Sequence, residues 1–337
     1  MNKKILILLL LPYISLSQNL DDLFSEKGEV YFSFQYKNKS QLNNLSKIIS
    51  IDHKTTDEIA YAYANKKELS EFMKLDIEYT IIKKEPLNFT HASKNNWNYY
   101  PTYQEYIDMM IAFADSFPDI CKIHHLGTMN SGREIVIVQI SDNVGQKENE
   151  PSFLYTSSMH GDELAGYILS LRLIDYILNG YDNNSRLTDL VNNIDIWINP
   201  LANPDGAYSG GNQDVWSATR YNANWVDLNR NYPDPEDGPH PDGNPYQKET
   251  NIFLGLADSI NFSMAANMHG GVEVCNYPWE TWSILTADDN WWQYVSTEYA
   301  DSCQVNSGNS YFNYLNDGIT NGWDWYEING GRQDYMN

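Results

Sequence analysis

The sequence predicts an α/β fold: a mixed, largely parallel central sheet with helices on both faces, preceded by a small β-α-β-α-β domain. Three observations predict it. Short aromatic and β-branched runs alternate with longer segments whose apolar residues recur at helical spacing. Strands of the second half, such as Ile135–Ile140 (IVIVQI), read as continuous apolar runs, which suits strands covered on both faces. A polar, Asn-rich stretch at 88–98 (NFTHASKNNWN) reads as a linker between the two parts.

The elements follow in order. Residues 1–17 carry Lys3 and Lys4, the apolar run Ile5–Leu11 and the small-x-small pattern Ser15-Leu16-Ser17. That is the pattern of a signal peptide, so the chain is expected to be secreted, periplasmic or extracellular. Residues 18–87 form the small α/β domain, pro-like or accessory. Glu29–Tyr36 alternates as a strand, and Ser40–Ile49 spaces Leu42, Leu45, Ile48 and Ile49 as a helix with Ser40 as N-cap. Ile59–Tyr63 is a strand, Lys66–Leu75 a helix and Tyr79–Lys83 a strand. Residues 99–337 are the main domain. In Tyr103–Phe117, Tyr103, Tyr106, Ile107, Met110, Ala114 and Phe117 share one helical face. Strands Ile135–Ile140, Phe153–Thr156, Ile194–Asn199 and Phe262–Met268, with the amphipathic helix Leu164–Leu178, complete the α/β pattern.

Composition narrows the function. Of 337 residues, 42% are hydrophobic and 20% charged, which suits a globular chain. Lys and Arg number 22 against 45 Asp and Glu, a net charge of −23. Such a surface repels phosphates, so neither nucleic acid nor an anionic membrane is an expected partner. The run Ile5–Leu11 is too short to span a bilayer. Cys121, Cys275 and Cys303 match no metal or redox spacing and allow at most one disulfide. The 25 Tyr and 10 Trp suit a packed core; a carbohydrate-binding surface is the weaker reading. The loop Asp234–Asn244 (DPEDGPHPDGN) reads as a solvated excursion, with a Ca2+ site on its carboxylates as the weaker alternative.

The sharpest local feature is His160-Gly161-Asp162-Glu163, between a strand and a helix. A His and a Glu three apart at such a junction can aim at one point beyond the strand's C-terminal end, where open α/β sheets bind ligands. A catalytic zinc needs a third protein ligand. His269, closing a strand and followed by Gly270-Gly271, is a candidate for it. Taken alone, a His and a Glu three apart are most often surface residues of a helix.

Further motifs follow. They are NPDG at 203–206, RxNxxxxDLNRNYPD at 220–234, HGGxxxxNYPW at 269–279 and DGITNGxxWYxxxGGRQDY at 317–335. With HGDE at 160–163 they resemble, in order over about 240 residues, the zinc metallocarboxypeptidases of the carboxypeptidase N/E-like subfamily. Residues 18–95 lie outside this resemblance. It implies one Zn2+ held by His160, Glu163 and His269, with Asp227 orienting a zinc-bound histidine. It implies that Arg230 and Asn229 bind the terminal carboxylate, which suits the two parallel hydrogen bonds a guanidinium can offer. It implies that Arg220 stabilises the oxyanion and that Tyr326 closes over bound substrate.

The same resemblance expects a general-base Glu about two dozen residues beyond the position of Tyr326. This chain reaches only Asn337, so that Glu is expected beyond it and the sequence is expected to be C-terminally truncated. Glu280 and Gln333 match positions lining the pocket for the terminal side chain, which implies a preference for Lys or Arg. The expected protein is a secreted, monomeric zinc carboxypeptidase acting on peptide or protein C-termini. Its rivals are a zinc- and peptide-binding protein impaired in catalysis, and a cell-wall peptide amidase on the same scaffold.

Overall fold

A computed structural model describes residues 23–336 apart from 26, 53, 57, 84–96 and 308–310. The signal-peptide segment 1–17 and most of the expected linker lie outside the described residues. The small domain runs β1 (Glu29–Gln35), α1 (Lys39–Ser46), β2 (Ser50–Ile51), β3 (Ile59–Asn65), α2 (Lys66–Met73) and β4 (Tyr79–Ile81). Its antiparallel sheet has the order β2-β3-β1-β4, with Phe32 opposite both Ala62 and Ile81. Alternation in β1 sends Val30, Phe32 and Phe34 to one face, where they meet Leu42, Leu45, Leu69 and Phe72 from the two helices. β2 is an addition to the expected β-α-β-α-β order. The N-cap of α1 is Asn38 rather than Ser40; its side chain accepts the Gln41 N–H.

The main domain follows with α3 (Tyr103–Ser116), β5 (Cys121–Thr128), β6 (Glu134–Ile140), β7 (Ser152–Ser157), α4 (Ala165–Gly180), α5 (Ser185–Val191), β8 (Asp195–Asn199), α6 (Lys248–Ile260) and β9 (Met264–Met268). These strands form a sheet of order β5-β6-β8-β7-β9. The β8-β7 and β7-β9 pairs are parallel, whereas β5-β6 and β6-β8 are antiparallel. The short link between β5 and β6 permits only a hairpin, which makes one half of the sheet antiparallel.

Helices cover both faces, as expected. On one, Tyr106 and Met110 of α3 and Tyr167, Leu171 and Ile174 of α4 pack on Val136, Val138, Ile196 and Ile198. On the other, Phe253 and Leu256 of α6 pack on Ile135, Ile137, Leu154 and Trp197. Beyond β9 the chain continues through β10 (Cys275–Tyr277), α7 (Asp289–Ser307) and β11 (Ile319–Asn321), β10 pairing in parallel with β11. Among the described residues no helix is long and apolar enough to cross a membrane.

Candidate active site

β7 and β9 are parallel neighbours, with Ser157 opposite Met268, so their chains leave the sheet side by side at its C-terminal edge. Past β7, Ser158 takes a left-handed φ of 54° and turns the backbone toward buried His160. Gly161 must be glycine: an added Cβ would stand 2.2 Å from the Gly206 carbonyl carbon. Asn203 staples this corner. Its amide donates to the carbonyls of Met159 at 3.1 Å and Tyr221 at 3.3 Å, and its oxygen accepts the Gly206 N–H at 2.8 Å. Asp205 pairs with Arg133 at 2.8 Å. The NPDG segment is therefore scaffolding for the strand end.

His160, Glu163 and His269 converge. Nδ1 of His160 lies 3.0 Å from Glu163 Oε1, and Nδ1 of His269 lies 2.8 Å from Glu163 Oε2. The two Nδ1 atoms are 3.2 Å apart. Tetrahedral zinc with bonds near 2.05 Å would separate its donors by about 3.3 Å, so this set fits the ion. The second nitrogen of His160 is also held, Nε2 lying 2.9 Å from Asp227 Oδ1, whereas His269 Nε2 lies 2.9 Å from Asn267 Nδ2. Gly270 N–H donates to Glu163 Oε2 at 3.0 Å, which fixes the carboxylate from the β9 side.

Arg220 is buried against the same cluster. Its Nη1 donates to Glu163 Oε1 at 3.3 Å and its Nε to Asp227 Oδ2 at 3.1 Å. Burial pushes the Glu163 carboxyl up, but His160 and His269 outweigh it and hold the group well below its usual range. Burial likewise pushes Asp227 up, and Arg220 and His160 bring it well below normal. For His160, burial and Arg220 oppose the charge, yet Glu163 and Asp227 prevail and raise its pKa. For His269 burial prevails and the pKa falls.

Asp227 also accepts the Asn229 N–H at 2.8 Å and so links this cluster to the next. Arg230 is buried; its Nη1 donates to the Asn229 carbonyl at 2.7 Å, while Nε and Nη2 have no acceptor among the described residues. Asn229 Oδ1 accepts the Arg332 N–H at 2.9 Å, which leaves its amide nitrogen as the group to face a ligand. Glu280 is buried, its Oε1 accepting from Asn276 at 3.2 Å. Burial pushes its pKa up to about 8, with Asp334 adding to the rise and Arg230 opposing it. Gln333, half-buried, belongs to the short helix Arg332–Met336.

Tyr326 is placed differently from an open-site tyrosine. It packs among the small-domain core residues, and its hydroxyl donates to the Ile51 carbonyl of β2 at 3.1 Å. Other small-domain groups reach the site as well. Glu29 accepts the Arg220 N–H at 2.9 Å, Ser50 Oγ donates to Asp227 Oδ2, and the Arg220 guanidinium stands 5.2 Å from the Tyr63 ring. A cavity of about 1060 Å³ between the domains is lined by Ser50, Glu68, Asp227, Arg230 and Asn329, among others.

Sequence reasoning missed Asn267, Glu29, Ser50 and Asp334. Asn267 was findable, two residues before His269 on the same strand; the small-domain residues carried no local signal. In the Asp234–Asn244 loop, Asp234 is taken up by backbone N–H groups of Glu236, Asp237 and Gly330. Asp242 accepts from Asn231 and Asn244. Two groups of donors close enough for a metal are found among the described residues, the site above and Asp142, Glu148 and Glu150; neither includes this loop.

Comparison with known proteins agrees with this geometry. The chain is 37% identical to carboxypeptidase D of Rattus norvegicus over 238 residues, 66% of this chain and 17% of that protein. It is 31% identical to the carboxypeptidase N catalytic chain of Homo sapiens over 303 residues, 79% of this chain and 64% of that one. The chain thus spans only part of either relative. The fold matches the crystal structure of carboxypeptidase A from Helicoverpa armigera with a TM-score of 0.69 at 17% identity, covering 92% of this chain and 86% of that one. The family model described as zinc carboxypeptidase matches residues 106–337, and the chain belongs to that family.

Proposed function

We propose that this chain acts as a zinc-dependent carboxypeptidase that grips the free α-carboxylate of a peptide or protein and releases the terminal residue, with terminal Lys or Arg preferred. One observation carries the reading. The convergent donors of His160, Glu163 and His269 are linked through Asp227 and Asn229 to a buried Arg230 whose Nε and Nη2 have no acceptor among the described residues. Held by those three residues, zinc supplies Lewis acidity to polarise the scissile carbonyl and activate a water. The chain's own side chains bind and orient the substrate. Arg230, with the Asn229 amide, presents parallel donors to the terminal carboxylate. Arg220, fixed by Glu163 and Asp227, places positive charge where the scissile oxygen becomes negative. Glu280 and Gln333 receive the terminal side chain.

The small domain is read as a cap. Its contacts with Tyr326, Asp227 and Arg220 hold Tyr326 away from a closing motion until Ile51 releases it. Residues 1–17 are read as an export signal on the pattern given above. The test uses zinc-loaded protein and paired peptides ending in Arg, one a free acid and one an amide, with binding read by fluorescence anisotropy and cleavage by mass spectrometry. Two charge-assisted hydrogen bonds predict roughly a hundredfold tighter binding of the free acid. Any release of a terminal residue should be confined to that peptide. Equal affinity for the two peptides would overturn the reading.

A further inference from the structure

The backbone of Glu280 is held firmly: its carbonyl accepts the Ile328 N–H at 3.3 Å, and its N–H and that of Thr281 are both taken up by one side chain. Both oxygens of one carboxylate do this: Asp334 Oδ1 accepts the Glu280 N–H and Oδ2 accepts the Thr281 N–H, each at 2.8 Å. Thr281 is held again, its hydroxyl lying 3.1 Å from Asp234 Oδ2 and 3.0 Å from the Ile328 carbonyl. At the other end of the side chain, Glu280 Oε2 is buried without a partner among the described residues. Gly331 keeps the space at that oxygen, since an added Cβ would lie 2.4 Å from it. The result is a carboxylate fixed at its root and unpaired at its tip.

We propose that Asp334 is the positioning residue of the specificity pocket, aiming the Glu280 carboxylate at the cationic end of a terminal Lys or Arg side chain. The inference rests on the reading of Glu280 as the selecting acid. Asp334 does not touch the substrate; it acts through the backbone of Glu280 and Thr281, and its negative charge adds to the cost of ionising Glu280. The groups facing Glu280 are Asp334, Arg230, Asn276 and Tyr326. Arg230 favours the ionised form of Glu280, whereas Asp334 and burial oppose it.

The test measures dissociation constants of peptides ending in Arg or Leu on the full chain, from pH 6 to pH 9. In the wild type the preference for Arg grows as pH rises through about 8 and then levels. At pH 9 Asp334→Asn is expected to cut that preference at least tenfold, with the Leu peptide unchanged within twofold. The midpoint of the rise is expected to move to lower pH, which a merely structural anchor would not do. Asp334→Glu keeps the charge but displaces the carboxylate, so it should lose preference without moving the midpoint. An undiminished preference at pH 9 in both variants, or parallel weakening of both peptides, overturns the role of Asp334. If Glu280→Gln keeps the full preference, the reading of Glu280 fails instead, whatever Asp334 does.

Discussion

Replacing Asp227 with Asn changes one atom at the meeting point of three functions. Oδ1 receives His160 Nε2 at 2.9 Å and Asn229 N at 2.8 Å, while Oδ2 receives Arg220 Nε at 3.1 Å and the Ser50 hydroxyl. An amide can keep only one of these faces as an acceptor. If its oxygen stays toward His160, its NH2 faces the Arg220 guanidinium donor to donor; turned over, it faces the Asn229 N–H and the imidazole. A lost hydrogen bond to a charged group costs about 1.5–3 kcal/mol, and at about 1.4 kcal/mol per tenfold that is roughly 10–100-fold. The same range describes removal of a carboxylate behind a metal-bound histidine, about 10–100-fold in metal affinity. Zinc affinity, measured by competition with a chromophoric chelator, should therefore fall by that factor. Free-acid peptide binding should weaken as well, because Asn229 loses its anchor. A variant with a lower melting temperature but unchanged zinc affinity would refute the assignment of Asp227 as the group orienting His160.

Two further outcomes are expected. Arg230→Lys keeps the charge but loses the planar fork, so the advantage of a free-acid peptide over its amide should shrink about tenfold; an unaltered advantage would place the carboxylate elsewhere. Glu68 of α2 is buried against Tyr221, its Oε2 accepting the hydroxyl at 2.5 Å, and burial raises its pKa from 4.5 to about 7. A raised carboxyl favours the docked state while protonated, so attachment of the small domain should be strongest below about pH 4.5 and weaken as pH rises through about 7. Hydrogen exchange at β2 should show that loosening, and Glu68→Gln should flatten it. Tighter docking at higher pH would contradict the reading.

Much of the fold was legible because its signals are local. The apolar periodicity of Tyr103–Phe117 and the run IVIVQI marked α3 and β6 to within a residue or two. The strand-to-helix corner at His160–Glu163 was legible for the same reason. β2 was not, since two residues carry no period, and its strand character comes only from pairing with Tyr63 and Ala62. Nor was the environment of Tyr326. Its partner Ile51 is 275 positions away in sequence, and that contact depends on how the two domains dock. Asp334 illustrates a third kind of gap. Its residue type and motif were plain in the sequence, but its work is on the backbone of Glu280, 54 positions earlier, and backbone N–H donors leave no pattern in side-chain identities.

The central claim is that His160, Glu163 and His269 hold one zinc ion. Zinc content per chain after exhaustive dialysis, measured by mass spectrometry of the metal in the wild type, His269→Ala and Cys275→Ser, tests it most directly. The account predicts one zinc per chain in the wild type, loss of stoichiometric zinc in His269→Ala, and full retention in Cys275→Ser. Stoichiometric zinc in His269→Ala would contradict it.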